Sequence, residues 1–177
     1  MSTIYEMTAA AIFTDEDPTK AHHLDLENVK IPALSERSKD HTPGGGVMSV
    51  KFGMRSIEPI TIDFKLKGIN PRTMAQFGIN TPNRRRYTVR GNVIDMRSGE
   101  EIASKAIVEG RILSVDIDQF SRDSGVSTGY RLDEIVHYEF HLGNDEIYYF
   151  NFWEGPSGFR VNGVSTFLSM TRNLGLA

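Results

Sequence analysis

The sequence predicts a mainly β fold, an antiparallel β-sandwich or partial barrel with a short helix near residues 70–78 and a short C-terminal helix. Three observations predict it: period-two alternation of apolar and polar residues recurs along the chain, clusters of turn-forming residues separate the alternating segments, and only two stretches show helical spacing.

The first forty residues hold two short apolar pieces, 9–13 and 24–32, separated by the acidic stretch Thr14, Asp15, Glu16, Asp17, Pro18. They read as two strands joined by an exposed turn. His41, Thr42, Pro43, Gly44, Gly45 and Gly46 follow. Three glycines after a proline have nothing to pack with, so this segment reads as a flexible loop.

From residue 47 the pattern changes. Met48, Val50, Phe52 and Met54 fall on one face, and Ser49, Lys51, Gly53 and Arg55 on the other. After Glu58 and Pro59 the alternation resumes, with Ile60, Ile62, Phe64 and Leu66 against Thr61, Asp63, Lys65 and Lys67. The expectation is one long hairpin over 47–67, its apolar face on the core and its polar face outward.

Asn70 is a helix cap, Pro71 suits the first helical position, Met74 and Phe77 share a face, and Gly78 closes the end, which predicts about two helical turns. Further strands are predicted over 87–94, 106–117, 132–142 and 147–153. Arg97-Ser98-Gly99-Glu100 and Gly143-Asn144-Asp145 read as turns between them. Val164, Phe167, Leu168 and Thr171 stand at helical spacing, predicting a C-terminal helix capped by Ser165.

At 177 residues the chain fits one domain spanning 1–177. A net charge of -3 gives no basic field to hold nucleic acid, so stable DNA or RNA binding is not expected. No cysteine is present, which excludes disulfides and thiolate metal sites and suits a reducing cytoplasm. The N-terminus lacks a basic signal region and no apolar run reaches the length of a membrane span.

Each candidate for chemistry has a plainer reading. The glycines at 44–46 are not followed by Gly-Lys-Ser/Thr, so they are not a phosphate loop. His137 and His141 on one strand would stand about 13 Å apart, too far to share one metal. Asp116-Ile117-Asp118 begins like a calcium loop, but Phe120 and Ser121 occupy positions where a ligand and the glycine belong. His22 and His23 beside Asp25 read as a solvated group, and Asn83-Arg84-Arg85-Arg86-Tyr87 as a solvated strand entry. No serine sits in a nucleophile elbow. The expectation is a protein without catalysis, cofactor or metal.

Function enters through resemblance. Asn162-Gly163-Val164 followed by Arg172, Leu174, Gly175 and Leu176 resembles the closing signature of the major tail tube proteins of contractile phages and R-type pyocins, an Asn-Gly-Val-Asp segment and an Arg-x-x-Leu-Gly-Leu terminus. Ser165 stands where that family has its Asp. Lys30-Ile31-Pro32-Ala33-Leu34 is similar to the family's Lys-Leu-Pro-x-Leu element, and Gly44-Gly45-Gly46-Val47 to its Gly-Gly-Met loop. Lys51-Phe52-Gly53-Met54 resembles the strand that follows. Gly110-Arg111 with Asp116, then Val136-His137-Tyr138, resemble two later strands, so the similarity runs in order from about residue 9 to 176.

The resemblance implies six-membered rings stacked into a hollow tube, in which strands of neighbouring subunits complete a continuous β-barrel. It implies as partners other copies of the chain, a tail sheath protein, baseplate and terminator proteins and a tape measure protein in the lumen, with DNA passing through without specific binding. Assembly in the cytoplasm of a bacterial host, location in the tail of a virion or tail-like particle, and no membrane contact are implied with it. His41, Thr42, Pro43, Gly44, Gly45 and Gly46 become a candidate ring-stacking loop. Ser49, Lys51, Arg55, Thr61, Asp63, Lys65 and Lys67 become a candidate lumen or inter-subunit face, whose basic excess either calls for acids from other strands, such as Glu109 or Glu139, or places part of that face outside the lumen. A type VI secretion tube subunit is the nearest alternative. A monomeric β-sandwich that binds carbohydrate through Trp153, Tyr148 and Tyr149 is an alternative of another class.

Overall fold

Turn chemistry threads the longest strands into a meander. β7 (Arg85–Asp95) turns into β8 (Glu101–Ile117) where Asp95 Oδ1 accepts the backbone N–H groups of Arg97 at 2.8 Å and Ser98 at 3.3 Å. β9 (Ser127–Leu142) turns into β10 (Asp145–Asn151) over Gly143 and Asn144, with Gly143 at φ 61°, as tight hairpins require. Both turns stand where the sequence places them. The computed structural model describes residues 3–15, 17, 19, 21–79 and 83–176.

The remaining elements are β1 (Tyr5–Thr14), β2 (Ala21–His22), β3 (Leu26–Lys30), β4 (Glu36–His41), β5 (Val50–Ile57), β6 (Ile62–Lys67), α1 (Pro71–Met74), a 3-10 segment (Phe152–Gly158), β11 (Phe159–Val161), β12 (Val164–Ser165) and α2 (Leu168–Asn173). One ladder runs β12-β11-β10-β9-β8-β7-β1-β2, and all its pairings are antiparallel. A second, β3-β6-β9-β8, uses the other halves of β8 and β9. The two long strands pass between sheets by bending, and register shifts between Glu109 and Arg111 and between Ile112 and Ser114 mark the bend.

The core lies between the two sheets. Ile12, Tyr87, Val89, Ala106, Val108 and Tyr138 face it from one side, and Ile62, Phe64, Leu66, Ile112, Tyr130 and Leu132 from the other. Phe64 and Tyr130, cross-strand partners, stack with ring centres 5.0 Å apart. Complete burial of a side chain such as Leu132 or Ile62 contributes about 1.5–3 kcal/mol.

Three expectations need correction. The hairpin over 47–67 does not form: β5 pairs with β4, while β6 lies between β3 and β9. β6 buries Ile62, Phe64 and Leu66 as the alternation requires, but Met48, Val50, Phe52 and Met54 are exposed rather than in the core. Both N-terminal apolar pieces do form strands, β1 and β3, with β1 pairing with β7 and β2, and β3 with β6; Glu16 and Pro18 of the acidic turn lie outside the described residues.

The helix at 70–78 makes one turn. Asn70 caps it by accepting the Thr73 N–H at 3.2 Å, but Phe77 then bridges to Ile112 and Gly78 donates to the Ile112 carbonyl at 2.7 Å, so the chain leaves the helix to dock on β8. Ser165 does not cap α2. It belongs to β12, Phe167 stands at the cap position without a side-chain bond, and the Ser165 hydroxyl is buried without a partner among the described residues.

Candidate functional site

Three surfaces gather the residues marked by the sequence. β4 and β5 form a two-stranded arm that pairs with no other strand among the described residues. All of β4 and all of β5 except Ile57 is exposed. At the arm's base Arg55, at φ 54°, gives its N–H to Glu36 Oε1 at 2.7 Å. The Glu36 carboxylate occupies the room beside Gly53, where a Cβ would lie 2.5 Å from that same oxygen. This bulge sets the direction of the arm.

The arm's tip is the predicted loop. His41 ends β4, Thr42 Oγ1 and Ser49 Oγ lie 2.7 Å apart, and Gly46 donates to the Pro43 carbonyl at 3.0 Å. Residues 41–50 are all exposed, with nothing within 4 Å of where a side chain on Gly44 or Gly45 would start. An isolated two-stranded hairpin is marginal in water, yet this one carries Met48, Phe52 and Met54 at 57% exposure or more.

The second surface is the outward face of β3-β6-β9-β8. Asp63, Lys65 and Lys67 lie on it, with Thr61 just before β6, whereas Ser49, Lys51 and Arg55 are on the arm. The predicted single polar face is therefore two. On β6 each cation has an acid: Lys65 meets Asp118 at 2.5 Å, Lys67 meets Glu27 at 3.3 Å, and Arg131 of β9 meets Asp63 at 2.7 Å. Asp118 raises Lys65, Asp63 raises Arg131, and the hydroxyl of Ser127, then Lys67, lowers Glu27. The balancing acids are not Glu109 and Glu139, which pair along the other sheet with Arg86 and His137, and with Ile107 and Tyr149. Both margins of this four-stranded sheet are open: among the described residues β3 pairs only with β6, and β8 beyond Ile112 only with β9.

The third surface is the C-terminal corner. Asn162 (φ 50°) and Gly163 (φ 71°) make the two-residue turn between β11 and β12. Val164 is exposed in β12, and Arg172 sits in the last turn of α2. Gly175, at φ 68°, ends the helix: its N–H reaches the Arg172 carbonyl and the Leu176 N–H reaches that of Thr171, both at 3.0 Å, a left-handed cap. Leu174 and Leu176 are exposed. The closing motif thus encodes a turn and a helix stop.

His22, His137 and His141 make hydrogen bonds within the protein. Glu139 takes His137 Nε2 at 2.7 Å and His141 Nε2 at 3.0 Å on its two oxygens. Burial pushes Glu139 upward, but the two histidine bonds outweigh it and leave the carboxyl below its ordinary value. His22 is not solvated as expected; its side chain is 12% exposed, with Asp25 on Nδ1 at 2.9 Å and Thr73 on Nε2 at 3.1 Å. Among the described residues no group of three or more acids, histidines or cysteines is arranged to hold a metal ion, and no helix is long and apolar enough to cross a membrane. In the basic run, Arg85 pairs with Asp15 at 3.2 Å and Arg84 lies over the Trp153 ring at 5.8 Å. Tyr148 packs on the core while Tyr149, on the opposite face of β10, lies under Arg160, so with exposed Trp153 they make no common stacking platform.

A family described as phage tail tube protein FII matches residues 6–175. The chain belongs to this tail tube family. No curated protein sequence matches it. Among solved structures it is similar to a chain of the sheath/tube terminator of an extracellular contractile injection system, PVC, in its extended state, at 14% identity over 72% of this chain and 91% of that one, with a TM-score of 0.46. It is likewise similar to a chain of the anti-feeding prophage baseplate, at 10% identity over 80% of this chain and 97% of that one, also at 0.46. As a tail tube family member it is a structural protein of a tail or tail-like particle and not an enzyme.

Sequence reasoning missed the exposed stripe of the arm. Its signal was indirect: residues 36–41, Glu-Arg-Ser-Lys-Asp-His, contain no apolar side chain, so a strand paired with them has no core to face.

Proposed function

We propose that the chain polymerises as stacked six-membered rings into the inner tube of a contractile particle, with the β3-β6-β9-β8 sheet lining the channel. The observation that carries this reading is the pair of open strand edges at the margins of that sheet. An unpaired edge is a template for another strand, and joining β3 of one copy to the edge of β8 in the next closes a barrel that removes both of these free edges. The outward face supports the same assignment, since paired charges on Lys65, Lys67 and Arg131 leave little uncompensated positive field to hold a passing polyanion. DNA, or an effector, would pass without specific binding, and a tape measure protein would occupy the lumen before it.

The arm tip, His41 to Gly46, contacts the adjacent ring in this scheme, ordering on contact. The C-terminal corner and the N-terminal turn are left for ring, sheath, baseplate and terminator contacts, and assembly takes place in the bacterial cytoplasm. Negative-stain electron microscopy of the purified chain, alone and with the other tail components, tests the reading. Tubes are expected; only dispersed globules under every condition would overturn it. Deleting Gly44, Gly45 and Gly46 is expected to leave the monomer's circular dichroism unchanged and abolish tubes, and normal tubes from the deletion would reject the stacking role of the loop.

A further inference from the structure

An apolar groove runs between the base of the arm, the 3-10 segment and α2. Leu34, Ile57, Phe150, Phe159 and Phe167 line it, and its two adjoining lobes measure about 390 and 510 Å³. We propose that this groove receives the apolar stripe of the arm, Met48 to Met54, from a second copy of the chain. The proposal rests on the tube reading and adds to it the receptor for the arm.

The stripe and the groove are complementary in character but out of reach of one another within one molecule. β5 itself forms one wall of the groove through Ser56 and Ile57, and its exposed apolar residues lie further along the arm, past the bulge at Arg55. At no more than about 3.3 Å per residue, Met54 and Phe52 lie up to roughly 10 and 17 Å along the strand from Ile57, with Met48 beyond the strand at the tip. The bulge of Glu36, Gly53 and Arg55 pins the direction of the arm, with the Glu36 carboxylate filling the room beside Gly53. Each copy therefore presents a stripe it cannot bury and a groove it cannot fill.

Two different patches meeting in this way form a head-to-tail contact, which propagates from copy to copy instead of closing a two-fold dimer. That is the symmetry a stack requires. The apolar side chains also supply burial that the arm lacks alone, since exposed Phe and Met side chains gain stability when removed from water.

The chain has no cysteine, so disulfide trapping reports cleanly. A Phe52→Cys chain mixed with a Thr166→Cys chain and oxidised under polymerising conditions is expected to give a mixed disulfide that neither chain gives alone. Tubes that form without the mixed disulfide overturn the groove and leave the tube reading standing. An intramolecular link in the dilute double variant also overturns it, because the arm would then fold onto its own groove. If the unmodified chain never polymerises, both readings fall. Thr166→Arg, at an exposed position on the groove wall, is a second measure: at least a tenfold rise in the concentration needed for tubes is expected with an unchanged monomer spectrum, and assembly at the unmodified concentration overturns the proposal.

Discussion

Arg111 and Glu134 meet at the bend that carries β8 and β9 from one sheet to the other. Arg111 Nη1 lies 3.0 and 3.2 Å from the two carboxylate oxygens of Glu134, and its Nη2 donates to the Gly78 carbonyl at 2.6 Å. Glu134 holds φ 52°, a conformation that costs a side-chain-bearing residue about 1–3 kcal/mol unless its surroundings impose it. One guanidinium thereby ties the bulged strand to the loop that follows α1. Glu134 is 39% exposed, so solvent weakens the ion pair itself, and the greater loss on removing Arg111 is the unpaired Gly78 carbonyl. Arg111→Met is expected to lower stability by about 1–3 kcal/mol in urea denaturation. Arg111→Lys should recover only part, since an ammonium cannot span both partners. Full recovery by lysine would show that charge alone matters at this bend.

Leu132 and Phe52 should behave in opposite ways. Leu132 is fully buried between the sheets, so Leu132→Ala is expected to cost about 2–5 kcal/mol of monomer stability. Phe52 is 57% exposed on the arm, so Phe52→Ser should leave the monomer within about 0.5 kcal/mol of the original while impairing polymerisation. Thermal melts of monomer and sedimentation of assembled material separate the two effects, and a large loss of monomer stability in Phe52→Ser would mean that the arm is packed in the free chain.

This contrast marks how far the sequence was legible. β7 to β10 follow from alternation plus turn chemistry, because Asp95 and Gly143 fix their hairpins locally. The inward set Ile62, Phe64 and Leu66 is equally plain. Alternation identifies a strand and its two faces, however, and says nothing about its partner. β5 and β6 look alike in sequence, yet one lies over the core and the other pairs with a strand that has no apolar residue. Long-range contacts also escaped: Thr73 sequesters His22 from fifty-one positions away, and the docking of Gly78 on Ile112 cuts α1 to one turn. The motifs at Asn162-Gly163 and at 172–176 were visible by resemblance, and their physical content, a tight turn and a helix stop, needed the dihedral angles.

Gly110 stands where β8 is crowded by the β9 backbone. A Cβ there would lie 2.8 Å from the Asp133 carbonyl oxygen and 3.2 Å from Ile135 Cγ1, and a backbone oxygen cannot swing aside as a side chain can. Gly110→Ala is therefore expected to destabilise the fold by about 1–3 kcal/mol. Gly44→Ala at the open arm tip is the matched control and should change stability by less than about 0.5 kcal/mol. Equal behaviour of the two variants in chemical denaturation would remove close strand approach as the reason for glycine at 110.

Acid should weaken the monomer through carboxylates that are held below their ordinary value. Arg160 donates to Glu146 through Nε at 3.0 Å and Nη2 at 2.9 Å, and these bonds lower the Glu146 pKa from 4.5. Glu139 and Glu27 are lowered as well. A carboxyl with a depressed folded pKa takes up its proton first in the unfolded chain, so its stabilisation is present above about pH 4.5 and is lost as pH falls through the folded value. Glu146→Gln should then cost about 1 kcal/mol at pH 7, given partial exposure of the pair, and the difference from the unmodified chain should shrink steadily below pH 4.5. Melting temperatures of both proteins from pH 7 to pH 3 measure this. Curves that stay parallel over the whole range would show that Glu146 does not titrate with unfolding and that its bond to Arg160 contributes no acid sensitivity.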